Sequence, residues 1–138
     1  MDATNQTAAN VEFVKGLYAA FKRGDAKPWL DAFTENSTWQ LYGPPELSLC
    51  GLRTGPKEIM DFFQTLMTTL EFKNSVQHRF IGDGDTVIVL GYVHSFVKAT
   101  GKDFKSEYAH VLTVKDGKLL SYREFLDTAQ LIDCYRGK

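Results

Sequence analysis

The chain contains no apolar run approaching the roughly 18 residues that a membrane-spanning helix needs, so a helical membrane protein is not expected. Its opening residues, MDATNQTAAN, lack both a basic segment and an apolar one and do not read as a secretion signal. Blocks of about five or six like charges are missing, and the formal net charge is −1. Neither nucleic acid nor a membrane is therefore an expected partner. Cysteine is scarce: Cys50 and Cys134 stand far apart, outside any metal-type spacing, and read as free thiols of a soluble cytoplasmic protein. The three histidines, His78, His94 and His110, show no metal-ligand spacing with any carboxylate, and no nucleotide-binding glycine loop is present. Neither a metal nor an organic cofactor is expected.

What remains is one domain's worth of chain. The 138 residues suffice for a single core, and no internal repeat or low-complexity segment divides them. Residues 1–8 are expected to form a disordered start and 9–138 a single domain. Val11, Val14, Leu17, Tyr18 and Phe21 recur at helical spacing until RGD at 23–25 supplies a terminating glycine. Pro28 suits the first turn of a second, short helix carrying Trp29, Leu30 and Phe33. STWQLYG then alternates like a strand, and GPPELSLCG breaks into an irregular, turn-rich stretch. Thr54, Pro56 and Glu58 mark the start of a third helix whose apolar face is Ile59, Phe62, Phe63, Leu66 and Leu70.

From residue 71 the period changes to two. EFKNSVQHRFI, TVIVLGYVHSFVKA, FKSEYAHVLTV and KLLSYREFLD read as four strands separated by GDGD, TGKD and KDG. Such short connections require an antiparallel meander. TAQLIDCY closes the chain as a short helix. The fold class is α+β: a cone-shaped, strongly curved antiparallel sheet covered by three N-terminal helices, with a short C-terminal helix. The hollow of such a cone is a natural place for a small-molecule ligand. Apolar residues on both faces of TVIVLGYVHSFV suggest that the outer sheet face is covered by a second copy, as in a homodimer.

This order, with FKRGDAKPWLDAFTENSTWQ, LRTGPKEIMDFF and EYAHVLTVKDGKLLSYREFLDTAQL, resembles the nuclear transport factor 2-like superfamily. Within it the chain is most similar to the SnoaL-like group, which includes polyketide cyclases and relatives of ketosteroid isomerase and limonene epoxide hydrolase. The resemblance covers nearly the whole chain and implies the cone fold. It does not fix the chemistry, because the same cone hosts isomerases, hydrolases, cyclases, dehydratases and proteins without catalytic activity.

Asp127, four residues after Arg123, matches an R-x-x-x-D strand ending whose aspartate is the general acid or base in SnoaL-like cyclases and limonene epoxide hydrolases. Over an apolar cavity, desolvation would bring such a carboxyl into range for proton transfer near neutral pH. Asp127 followed by Gln130 also fits a helix-capping box, and the two readings can coexist. His110 falls where ketosteroid isomerases place the acid of their oxyanion hole, and it could pair with Asp127. Tyr108 shares its face by the period of two. Tyr92 and His94 stand near the Arg-x-Asp pair of limonene epoxide hydrolases without reproducing it, which counts against epoxide hydrolysis. His94 fits the pocket, solvent or a dimer partner equally.

The catalytic aspartate and oxyanion tyrosine positions of ketosteroid isomerases fall at Leu41 and Leu17, with Tyr42 and Tyr18 one step away, which argues against steroid isomerisation. Tyr18, Trp39, Phe62 and Phe63 are expected in the pocket wall, and Trp29, Met60 and Met67 are core or wall. His78 reads as surface or structural, and Glu46 as solvated. The resemblance thus implies a cofactor-independent acid/base enzyme acting on a small apolar or carbonyl-bearing molecule, with Asp127 and His110 catalytic. A non-catalytic, ligand-binding or structural dimer of the same fold is the alternative.

Overall fold

The computed structural model describes residues 3–136. Helix α1 (Ala3–Lys22) begins well before the apolar repeat at Val11. Residues 3–8, expected to be disordered, are helical, and tertiary contacts explain why. Thr7 Oγ1 accepts a bond from the Gly84 amide at 2.9 Å, and Asn10 Nδ2 donates to the Gly84 carbonyl at 3.0 Å. The helix ends at the expected glycine, with Gly24 at φ +76° and its amide on the Phe21 carbonyl. In α2 (Lys27–Ala32), the Trp29 indole donates to the Leu17 carbonyl at 2.7 Å and ties the two helices together.

Strand β1 (Phe33–Leu41) follows directly, so Phe33 opens a strand rather than ending a helix. The irregular stretch beyond it packs inward through buried Leu47 and Leu49. Arg53 holds that stretch by donating to the carbonyls of Ser48 and Leu49, and its guanidinium lies 4.4 Å from the Phe62 ring centroid. Arg53 belongs to β2 (Gly51–Thr54), a short strand with no counterpart in the sequence reading. Thr54 occupies the N-cap of α3 (Gly55–Thr69), but its hydroxyl makes no capping bond. Glu58 Oε1 instead accepts from the Thr54 amide at 3.0 Å, one residue beyond the position a capping box would use.

The meander follows as β3 (Leu70–Asp83), β4 (Thr86–Val97), β5 (Lys102–Lys115) and β6 (Lys118–Leu126), and α4 (Thr128–Arg136) closes the chain. Asp116 and Gly117, at φ +52° and +73°, form the two-residue turn between β5 and β6. The sheet order is β2-β1-β6-β5-β4-β3. One departure from the expected antiparallel sheet is that β1 pairs with β6 in parallel. No hairpin joins those two strands, so nothing local dictates their relative direction.

A bulge in β6 decides which side chains face the hollow. Thr113 pairs with Ser121 and Val114 with Leu119, leaving Leu120 without a partner on β5. A one-residue insertion reverses facing. Buried Leu119 is thus followed inward by Tyr122 and Glu124, while Arg123 and Phe125 are exposed. On β4 the alternation is unbroken: Val87, Val89, Gly91, Val93, Ser95 and Val97 are buried, and the intervening residues line the outer face.

Candidate active site

The concave face of the sheet and the three N-terminal helices enclose a cavity of about 120 Å³. That volume decides the scale of any occupant, since an apolar cavity of about 150 Å³ takes a molecule the size of benzene. The wall is mostly aromatic and aliphatic. Trp39 lies flat on Tyr122, ring centroids 3.5 Å apart at 11°, and meets Phe63 edge-on at 4.8 Å. The Trp39 indole N–H is buried and has no hydrogen-bond partner among the described residues.

Into this wall the strands and α1 bring a connected polar chain. His110 on β5 is 6% exposed. Its Nε2 lies 2.7 Å from Glu124 Oε2 on the neighbouring strand, and its Nδ1 lies 2.6 Å from the Tyr18 hydroxyl on α1. An ionised carboxylate can only accept, so Nε2 carries the hydrogen toward Glu124. In the neutral ring Nδ1 is then the acceptor, and Tyr18 donates to it. Burial holds the Tyr18 and Tyr122 phenols well above the usual value, so both keep their hydrogens near neutral pH. Tyr108 stacks on the His110 ring, centroids 4.0 Å apart at 12°, and fixes its plane. A carboxylate that orients an imidazole, which in turn meets a hydroxyl, is the arrangement by which proton-relay triads work. Here it can lend a proton to a bound molecule or withdraw one.

The structure brings His110, Tyr18, Tyr108, Trp39, Phe62 and Phe63 together around the cavity. It does not bring Asp127 to His110. Asp127 is exposed, its Oδ1 accepts from the Gln130 amide at 3.1 Å, and Gln130 Nε2 bonds its Oδ2 at 3.2 Å. This is the cap of α4. The box is not reciprocal: the Asp127 amide goes to Ser106 Oγ at 3.0 Å, while the Gln130 side chain makes two bonds to the backbone of Lys105. Tyr92, a candidate for the pocket wall, lies on the outer face instead, and so does His94, for which the sequence leaves pocket, solvent and a dimer partner equally open. Their register with Val76 and Asn74 on β3 puts them opposite buried Val93, and His94 bonds Asp103 at 2.8 Å. His78 and Glu46 are exposed, the latter paired with Arg136.

The carboxylate that meets His110 is Glu124, which the sequence reading passed over. Its signal was its parity with Tyr122, but the Leu120 bulge hides that parity from any count begun at Leu119. Gln77 and Ser75, also in the wall, were missed for a plainer reason: polar residues in SVQHRF look like a solvated face.

Residues 14–122 match the SnoaL-like domain family. The chain belongs to that family. Among solved structures, this SnoaL-like protein is similar to an NTF2-like protein from Burkholderia xenovorans LB400. The two are 30% identical over 93% of this chain and 96% of the other, with a TM-score of 0.83. A candidate SnoaL-like polyketide cyclase from Jannaschia sp. CCS1 shares the fold at 17% identity and TM-score 0.79, over 97% and 96% of the two chains. A candidate isomerase from Rhodopseudomonas palustris shares it at 17% identity and TM-score 0.75, over 91% and 94%. None of the curated protein sequences matches the chain. No helix among the described residues is long and apolar enough to cross a membrane.

Proposed function

We propose that this SnoaL-like protein is a cofactor-independent acid/base enzyme for a small, largely apolar, carbonyl-bearing molecule. The observation that carries this reading is the Tyr18–His110–Glu124 chain in the wall of a mostly apolar cavity. The Tyr18 oxygen takes a proton from the carbon beside the substrate carbonyl as its own hydrogen passes to His110 Nδ1, and the imidazolium so formed, held by Glu124, returns a proton by the same route. The net step is a proton shift at carbon next to the carbonyl, as in isomerisation, dehydration or ring closure. Asp127 serves the fold.

The test is solvent deuterium exchange at the carbon beside the carbonyl of small ring ketones such as cyclohexanone, followed by NMR. Wild-type protein should accelerate exchange, and His110→Gln and Glu124→Gln should each lower it on the order of a hundredfold or more. Exchange unaffected by either substitution would remove the chain from the mechanism. Binding of the ketone without any exchange would favour a ligand-binding protein of the same fold.

A homodimer through the outer sheet face belongs to the same reading. Leu90, Ala109 and Phe125 form one row across that face, and Tyr42 stacks on Phe125 at 4.9 Å, both rings 41% exposed. Exposed aromatic surface of this kind is normally covered. Sedimentation should give a dimer that Phe125→Lys converts to monomer; a wild-type monomer at high concentration would refute it.

A further inference from the structure

The cavity holds a second polar group, Ser75, Gln77 and the Tyr108 hydroxyl, joined to the Tyr18–His110–Glu124 chain through the Tyr108 ring stacked on His110. Gln77 on β3 donates from Nε2 to both Tyr108 Oη, at 2.9 Å, and Ser75 Oγ, at 3.1 Å. Both of its amide hydrogens are therefore committed. Burial, the larger influence, keeps the Tyr108 phenol protonated beside these polar neighbours. An oxygen that receives a hydrogen from Gln77 and keeps its own still has that hydrogen to give. The Tyr108 hydroxyl can therefore give one hydrogen bond to a bound molecule, and the Gln77 amide oxygen, which no hydrogen bond among the described residues engages, can receive one.

The geometry of the sheet separates the two groups. Glu124, His110, Gly91 and Gln77 lie on β6, β5, β4 and β3, in register across one row or the next. Adjacent strands stand about 4.8 Å apart, so Glu124 on β6 and Gln77 on β3 flank the same concave face laterally, with the stacked His110 and Tyr108 rings between them. Gly91 makes this possible. A Cβ there would come within 2.4 Å of both the Tyr108 hydroxyl and the Val76 carbonyl, so only glycine lets the Tyr108 ring lie across β4 toward Gln77. Charge narrows the occupant further. Among the described residues no lysine or arginine lines the cavity, and Glu124 does. An anionic ligand would be desolvated beside a carboxylate with no cation to meet it.

We infer that the substrate is a neutral molecule of single-ring size with two oxygen functions at opposite ends. One is presented to Tyr18 and His110, and the other, a hydroxyl or carbonyl, is bound by Tyr108 and Gln77. The inference rests on the acid/base reading only for which end reacts. Tyr108 and Gln77 set specificity, and a carboxylate in place of the second oxygen function is rejected.

The experiment compares three probes by ligand-observed NMR titration: cyclohexanone, its derivative hydroxylated on the opposite ring carbon, and the corresponding carboxylate. Wild-type protein should bind the hydroxylated ring roughly tenfold more tightly than cyclohexanone, and the carboxylate more weakly than either. Tyr108→Phe, which keeps the stacked ring, should erase the preference for the hydroxylated ring. Gln77→Leu is the second variant, and circular dichroism checks the fold of both. Equal affinity of wild-type protein for the first two probes would overturn the inference, as would a preference that survives both substitutions. Because affinity is read apart from deuterium exchange, selective binding without exchange would sink the catalytic reading and leave this subsite standing.

Discussion

At the scale of single residues, Asp127 and Glu124 are three positions apart and have unrelated environments. Asp127 caps α4 in solvent, whereas the Glu124 side chain is 18% exposed and bonded to a buried imidazole. Substitution should separate them. Asp127→Ala should cost about 1 kcal/mol in chemical denaturation, and Asp127→Asn only a few tenths, since asparagine caps as well as aspartate. Neither should alter deuterium exchange. A loss of exchange in Asp127→Asn would return that carboxylate to the mechanism. The sequence made the cap visible, because Asp127 and Gln130 have the spacing of a box. It could not place Asp127 relative to the cavity, because facing in β6 depends on a bulge that no residue in KLLSY announces. His110 and Tyr108 were legible because alternation runs unbroken through EYAHVLTV.

At the scale of elements, the four long strands and their turns could be read directly from period and turn chemistry. The short β2 could not, since GLRT has too few residues to show an alternation. The parallel pairing of β1 with β6 is a property of two segments distant in sequence, which no local pattern encodes. Glycines within elements give a sharp test of the packing described above. Gly91→Ala places a methyl group against the Tyr108 ring and the Val76 backbone, whereas a Cβ at Gly16 in α1 meets nothing within 4 Å. The same substitution should therefore have opposite signs. Gly91→Ala should destabilise by about 1–3 kcal/mol through overpacking, and Gly16→Ala should stabilise by about 0.5–1 kcal/mol through helix propensity. Thermal melts of the two variants would check this, and a Gly91→Ala protein as stable as wild type would show that Tyr108 does not lie across β4.

For the whole molecule, the buried phenols couple the cavity to alkaline stability. Burial raises the folded-state values of Tyr18 and Tyr122 above the unperturbed 10.0. Their contribution to stability is complete below that value and is lost as pH rises from it through the folded values. Of six tyrosines, these two should form phenolate only as the fold is lost, seen as a late rise in near-ultraviolet phenolate absorbance coincident with loss of circular dichroism. Titration of all six near the unperturbed value with the fold intact would contradict the burial. The parallel pair also bears on how the chain is made. Ser37 donates to the Leu119 carbonyl across 82 residues, so one edge of β1 waits for β6 to be synthesised. At about 5–20 residues per second, that edge stays open on the ribosome for roughly 4–16 seconds. During that interval Trp39 lacks Tyr122 to stack against and Tyr18 lacks His110. The nascent chain therefore presents a strand edge and an unfinished aromatic wall together, and translation speed sets how long both are open to aggregation or to a chaperone.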